Sequence, residues 1–548
     1  MMKTIGLSTT GKSSGARELL GALGEVFGFR CEQRMLGDDA GIDAWIVESD
    51  DAETLRRATH SDKPCYVVIS ERQLVRCGES SVVEFSQTSA IPTLLRGRRI
   101  TADEIREVMA LPQTQGQMKA VASKQGYPLW AIQESGGRRH FVVSLPLPGL
   151  SPGQLLSQYF NETSFLRLLP LIVFVRALTE DPGWEPPPLQ ACFMVDDPNL
   201  HWRTYGFVDF RRIAEHSSVH GYHMSFATIP QDAWFVHGPT ASLFRKSKEH
   251  LSLLIHGNDH ISQEFGRPYS DAVVAGKLRQ ALRRVNRLEQ RSGVNVARVM
   301  APPHGACTET TLRGMARLGF EAACISRGSL KRHNNGAEWL HTVGMRPADM
   351  ICGLPVFPRF PFNSKCHNRI LIAALLDQPI IARGHHQDFE QGLQLFADLS
   401  SFVNSLGSVQ WADMERISRS HFARKVDGNT LLIRLFTKHI AIRIPDGINQ
   451  ILVERPWLGG THPIPLAWKE VKGGLDWKSQ KSSDPIRVVV GQEIEILAEL
   501  PQTTSNDDGI SNGVGVWPVM RRQLTEARDR LTPMMRRVAA LAGTTSKP

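Results

Sequence analysis

Apolar positions change their spacing three times along the chain, and each change marks a different kind of structure. Over residues 1 to about 145, short apolar runs alternate with amphipathic stretches. KTIGL, DAWIVES and PCYVVIS read as strands, while ARELLGALGEVFG and DAETLRRAT read as helices. That alternation predicts a small α/β domain with a largely parallel sheet. A mainly helical connector is expected over 146–188, with LLPLIVFVRAL from Leu168 as its most apolar part, and the prolines of DPGWEPPP end it.

From 189 to 424 the pattern is longer and more regular. ACFMVDD, YHMSFATIP, LSLLIHG, ARVMAPP, EAACIS, DMICGLPVF, QPIIARGHH and VQWADM are strand candidates. Amphipathic helices such as DAVVAGKLRQALRRVNRLEQRSG and TETTLRGMARLG fall between several of them. This predicts an α/β fold of the (β/α) barrel type, distorted or incomplete, with about seven strands. Residues 425–501 turn to strict alternation (NTLLIRLF, HIAIRIP, QILVERPW), which predicts an antiparallel, sandwich-like β-domain. A polar linker and a basic amphipathic helix fill 502–548.

Three of the barrel strands end in clusters that carry chemistry: MVDDPN with Asp196 and Asp197, HGNDH with His256 and His260, and GHHQD with His385 and His386. Strand ends from different parts of the chain converge at one face of such a barrel, where active sites are assembled. A carboxylate with two imidazoles is a ligand set suited to zinc or a similar divalent ion. Each cluster also has a plainer reading. DDPN is good turn chemistry. HxxxH places two side chains on one helical face and can be simple surface polarity, and Gly257 permits a tight turn there. One histidine of the 385–386 pair is expected to be a packing or capping residue, and the other is placed for general acid work near neutrality.

The ordered set resembles the polysaccharide deacetylase superfamily, the NodB-type carbohydrate esterases with their TFDD, H(S/T)xxH, RxPYG and LxH motifs, over about 190–425. The resemblance implies a general base at Asp196 and a metal triad of Asp197, His256 and His260. It implies a leaving-group acid at His385 or His386, and an oxyanion contact from the backbone N–H of His304 in APPHG. It further implies a zinc-type cofactor (Zn2+, with Co2+ or Ni2+ as alternatives) and hydrolysis of an N-acetyl group on a sugar or glycan precursor. The motif departs from the family at three points. HGNDH replaces HS/HTxxH, His304 stands for the usual tyrosine, and Ala301 stands for the arginine that pairs with the base. Arg298 and Arg359 are the candidates to replace that arginine. A catalytically weakened, carbohydrate-binding or scaffolding relative on the same barrel is the alternative from another class.

Composition narrows the partners. The chain has 548 residues and a net charge of +9. More than half of that excess sits in the C-terminal segment, where Arg521, Arg522, Arg528, Arg530, Arg536, Arg537 and Lys547 face only Glu526 and Asp529. A nucleic-acid enzyme would spread its basic charge over a broad surface, so nucleic acid is not expected. In the terminal helix Met520, Leu524, Ala527, Leu531, Met534, Val538 and Leu541 recur at helical spacing, with Pro533 expected to kink it. It reads as a docking helix or a tail, and alternatively as a peripheral contact with anionic lipid headgroups at the inner membrane face. The first residues lack an apolar core of signal-peptide length, and the eight cysteines show no paired spacing. A cytoplasmic protein with reduced thiols is therefore expected.

Gly6 to Ser13 satisfies GxxxxGK[ST], the glycine loop that cradles phosphates, after a strand-like segment and before a helical one. Chance matches to so short a pattern occur, and IVESDD is a poor magnesium-binding strand end. Nucleotide binding stands as a third reading.

Overall fold

The computed structural model describes residues 2–9, 14–112, 118–363, 365–457, 465–471, 476–481, 484–498 and 516–541. They form two compact units. One comprises 1–182 with the insertions 336–346 and 367–376, and the other comprises 183–335, 347–366 and 377–548.

The first unit is built on a nine-stranded sheet that is parallel in one half only. Strands Phe29–Gln33, Lys3–Thr9, Ala44–Ser49, Cys65–Ile69 and Arg138–Val143 run parallel to one another. Tyr127–Ser135, Met118–Lys124, Val82–Phe85 and Arg99–Thr101 then continue the sheet antiparallel. The largely parallel sheet expected from the sequence is corrected to a mixed one, because tight turns such as Gly136-Gly137 join neighbouring strands directly and leave no crossover helix. Of the helical connector only the turn Leu156–Gln158 and the helix Leu169–Thr179 form. That helix lays Phe174 between Tyr66 and Phe141, with ring centroids 5.7 and 5.5 Å away. Gly6 lies inside the first strand, and a Cβ there would meet the Trp45 ring at 2.4 Å. Packing accounts for this glycine of the phosphate-loop pattern. Residues 10–13, with Gly11, Lys12 and Ser13, lie outside the described residues.

The second unit holds a curled sheet. Its parallel strands are β1 (Gln190–Asp196), β2 (Met224–Thr228), β3 (Leu251–Ile255), β4 (Val296–Met300), β5 (Ala322–Cys324), β6 (Leu354–Phe357), β7 (Phe360–Pro361) and β8 (Ile380–Gly384). They lie in the order β6-β5-β4-β3-β2-β1-β8-β7. Strand β6 pairs with β5 near one end of the sheet and β7 pairs with β8 at the other, yet only Pro358 and Arg359 separate β6 from β7. The two ends are thereby joined by one short segment. Each strand expected from the sequence is present. The extra one, β7, is two residues long and gives no periodic signal.

Alternate residues of the strands fill the inside of the curl: Cys192 and Met194 from β1, Ala297 and Val299 from β4, Ala322 and Cys324 from β5, Phe357 from β6 and Ile381 from β8. Most of these side chains are small, which suits the tight curvature. Downstream, two four-stranded sheets enclose an aliphatic core that includes Leu431, Ile433, Ile440, Ile451, Ile494 and Ile496. The pairing is antiparallel, as expected, except where Thr430–Leu435 runs parallel to Gln450–Glu454. The terminal helix α1 (Val516–Leu541) continues through Pro533. Among the described residues, no helix is long and apolar enough to cross a membrane.

Candidate metal centre

Strand parity separates the two adjacent aspartates. Asp196 shares the inward face of β1 with Cys192 and Met194, and is 3% exposed. Asp197 follows the last strand residue with φ 85°, while its amide still donates to Ala227 O of the neighbouring strand at 3.1 Å. This left-handed turn, unusual for a residue with a side chain, sends the second carboxylate to the rim.

Asp196 meets Arg359, which extends the inward face of β6 past Phe357. Arg359 Nη1 donates to Asp196 Oδ1 at 2.8 Å and Oδ2 at 2.9 Å. Both groups are nearly free of solvent, so neither charge would be tolerated alone. Burial opposes the charge on Asp196, but Arg359, His256 and His385 outweigh it and lower its pKa. Of the two arginines considered from the sequence, Arg298 points elsewhere. It is held by Glu289 on the helix Asp271–Ser292, with Nη2 to Oε2 at 2.8 Å.

His256 follows β3 and is 2% exposed. Its Nδ1 lies 2.7 Å from Ala301 O. A carbonyl only accepts, so Nδ1 carries the proton and Nε2 presents a lone pair. The residue in the arginine's motif position thus contributes its backbone instead of its side chain. His256 Nε2 is 3.4 Å from Asp197 Oδ1, and His260 Nε2 is 3.1 Å from the same oxygen.

The HxxxH spacing does not work through a helix. Residues 256–260 form an irregular loop with φ 70° at Gly257 and φ 52° at His260. A Cβ on Gly257 would come within 2.5 Å of Pro303 Cγ and 2.7 Å of Glu264 Oε2. The loop is organised by buried Glu264, which accepts from Asn258 N and Asp259 N at 2.9 Å and from His260 N at 3.2 Å. Asp259 is tied outward to Arg284 at 2.7 Å. Glu264 lies outside the HGNDH motif. Its position four residues after His260 was the available signal.

The other candidates are distributed around this group. His304 has a left-handed backbone, φ 57°, and its ring centroid lies 5.4 Å from that of His260. His385 acts electrostatically on Asp196, and its amide is held by Asp388 Oδ2 at 2.7 Å. His386 is buried beside Tyr205 and Phe207, with Nε2 3.6 Å from Asp529 Oδ1. The pair is therefore divided between two environments.

Helix α1 reaches the same rim through charges. Arg522 is 3% exposed and donates to Asp232 Oδ1 and Oδ2 at 3.0 Å, to Tyr205 Oη at 3.2 Å and to the Asp197 carbonyl at 3.2 Å. Arg521 donates to the His260 carbonyl. Glu526 meets His201 Nδ1 at 3.1 Å, Asp529 accepts from Tyr205 Oη at 2.9 Å, and Arg530 reaches Asn199 Oδ1 at 2.9 Å. From its sequence the helix is expected to dock, to form a tail or to meet anionic lipid through its basic residues; in the structure it is the charged face that makes contacts with the rest of the unit. None of these pairs has a sequence signal, because the partners lie more than 260 residues apart.

The donor set suits a divalent cation. One ligand atom each from Asp197, His256 and His260 fall within 4.8 Å of one another. Asp197 Oδ1 is buried and makes no well-aligned hydrogen bond, although two imidazole nitrogens flank it. An oxygen and two imidazole nitrogens turned to one point are the kind of donor set that an open three-ligand site uses.

No family model matches the chain, and no curated protein matches it. Among solved structures it is similar to a putative polysaccharide deacetylase from Mycobacterium smegmatis, with 14% identity, 44% of this chain and 91% of that chain covered, and a TM-score of 0.31. It is also similar to a family 4 carbohydrate esterase from Streptomyces lividans in complex with acetate (12% identity, 42% and 94% covered, TM-score 0.27). A family 4 acetyl xylan esterase from Clostridium thermocellum in complex with a cobalt ion gives 11% identity, 41% and 87% coverage, and a TM-score of 0.25.

Proposed function

We propose that the protein is a metal-dependent hydrolase that removes N-acetyl groups from a sugar or glycan precursor. The observation carrying this reading is the meeting of buried Asp197 Oδ1 with the Nε2 atoms of His256 and His260, next to a carboxylate kept ionised by a buried arginine. Asp197, His256 and His260 would hold Zn2+, or Co2+ or Ni2+ in its place. When bound, such an ion polarises a carbonyl and lowers the pKa of bound water.

The remaining work falls to the chain's own groups. Asp196 takes a proton from the attacking water, and Arg359 fixes which way its oxygens point. The His304 backbone N–H supports the oxyanion. His385 delivers a proton to the departing sugar nitrogen, while His386 stays packed behind Tyr205 and Phe207. The Ala301 carbonyl keeps His256 in its ligating tautomer.

Acetate release from N-acetylated oligosaccharides by purified protein tests this reading. Activity is expected with Zn2+, Co2+ or Ni2+, is lost on chelation, and returns when the metal is restored. Asp196→Asn should retain the metal and lose the activity. A protein that takes up none of these ions, or one whose acetate release survives both chelation and Asp196→Asn, overturns it.

A further inference from the structure

Helix α1 is turned inside out relative to an ordinary docking helix. At 100° per residue, Arg522, Glu526 and Asp529 share one face, and these three are 3%, 6% and 3% exposed. The opposite face carries Trp517, Met520, Leu524, Leu531, Met534 and Val538, which are 67%, 51%, 64%, 51%, 65% and 57% exposed. An apolar stripe running along a helix of 26 residues, about 39 Å by its rise per residue, is left facing solvent. Contiguous exposed apolar surface of this kind marks an interaction site.

The charges bordering the stripe decide what covers it. The helix contains only two acids, Glu526 and Asp529, and both are committed to the inner face by His201 and Tyr205. The exposed charges on its flanks are arginines. Arg528, which also bonds Asp529, has 69% of its side chain exposed, and Arg537 is exposed on the other flank, whereas Arg536 lies towards the inner face and pairs with Glu390. A second copy of the same stripe would bring like charges together. An anionic lipid surface would neutralise them while the apolar side chains enter the acyl boundary. Because no helix among the described residues can span a bilayer, such a helix lies in the plane of the interface.

We propose that the outward face of α1 binds an anionic membrane surface, with Trp517, Met520, Leu524, Leu531, Met534 and Val538 inserted and Arg528 and Arg537 at the headgroups. The inner face remains on the unit that carries Asp197 and His260, which brings the candidate site to the membrane along with the helix.

Vesicle sedimentation of the full chain tests this. The protein should pellet with vesicles of phosphatidylglycerol and phosphatidylcholine, and at least ten-fold more weakly with phosphatidylcholine alone. Leu524→Glu/Leu531→Glu should weaken binding at least ten-fold without changing the thermal midpoint, since both side chains face solvent. A second measurement needs no folding comparison: brominated lipid in the anionic vesicles should quench a fluorescence component that Trp517→Phe removes. The proposal fails if the wild-type chain stays in the supernatant with anionic vesicles. It also fails if the glutamates leave binding unchanged, if bromine quenches nothing assignable to Trp517, or if the stripe instead forms a dimer that the glutamates split.

Discussion

Arg359 Nη1 lies within 2.9 Å of both carboxylate oxygens of Asp196, although the two residues are 163 positions apart in the chain. Asp196 ends the central strand β1, and Arg359 sits in the two-residue link between β6 and β7. The pair therefore depends on the curling of the sheet as a whole. Removing one partner of a buried ion pair leaves the other charge stranded, at a cost of about 3–5 kcal/mol. Arg359→Met is expected to lower the denaturant midpoint accordingly, whereas Arg359→Met with Asp196→Leu should recover most of the loss. A double-mutant cycle by urea unfolding measures the coupling.

Glu264 touches none of the three candidate donor atoms, but it holds the backbone amides of residues 258–260. Glu264→Gln is expected to weaken metal binding by roughly 10–100-fold, the usual effect of losing an outer partner of a ligand. Competition with a chromogenic chelator reads this directly. His256→Ala should abolish binding in the same assay.

Gly257→Ala tests the loop from another side. The added Cβ meets Pro303 and Glu264 in a left-handed backbone, so a loss of about 1–3 kcal/mol is expected. Thermal unfolding with and without metal checks it, and the metal-induced stabilisation should shrink together with the midpoint.

The docking of α1 should depend on pH with a defined optimum. Burial opposes the charge on Glu526, yet His201 and Arg530 bring its pKa down to about 2, against an ordinary value of 4.5. Its contribution is present above pH 4.5 and is lost as the pH falls towards 2. Burial likewise opposes the charge on His201, but Glu526 and Asp232 raise its pKa above 6.5. That contribution is complete below 6.5 and fades as the pH rises through the raised value. Protection of the helix from limited proteolysis should therefore be greatest between about pH 4.5 and 6.5. A flat profile from pH 3 to 9 would count against this account of the docking.

Much of the second unit is legible because β1 to β4 and β8 are apolar runs of five to seven residues, and β1 and β3 run directly into carboxylates or imidazoles. Asp196, Asp197, His256 and His260 stood out for that reason. What escaped the sequence has physical causes. Residues 256–260 curve through left-handed conformations that no periodicity encodes, so HxxxH suggested a helix where a loop held by Glu264 exists. Strand β7 is too short to produce alternation. The antiparallel half of the first sheet is hidden because Met118–Lys124, Tyr127–Ser135 and Arg138–Val143 follow one another through two-residue turns, and only the pairing pattern distinguishes them from parallel strands. The inner partners of α1 are single side chains and carbonyls scattered over 197–205, 232 and 260, and nothing local couples them before the chain folds.

The passage from β6 to β7 through Pro358 and Arg359 has a consequence for what the chain tolerates. Surface loops accept extra residues at little cost, because closure entropy rises slowly with length. This link cannot, since both of its flanks are hydrogen-bonded to opposite ends of one sheet. One added residue would reverse the side to which Arg359 points or slip the pairing of a whole strand. The segment acts as the clasp of a hoop, and its length sets the circumference that the hoop can have.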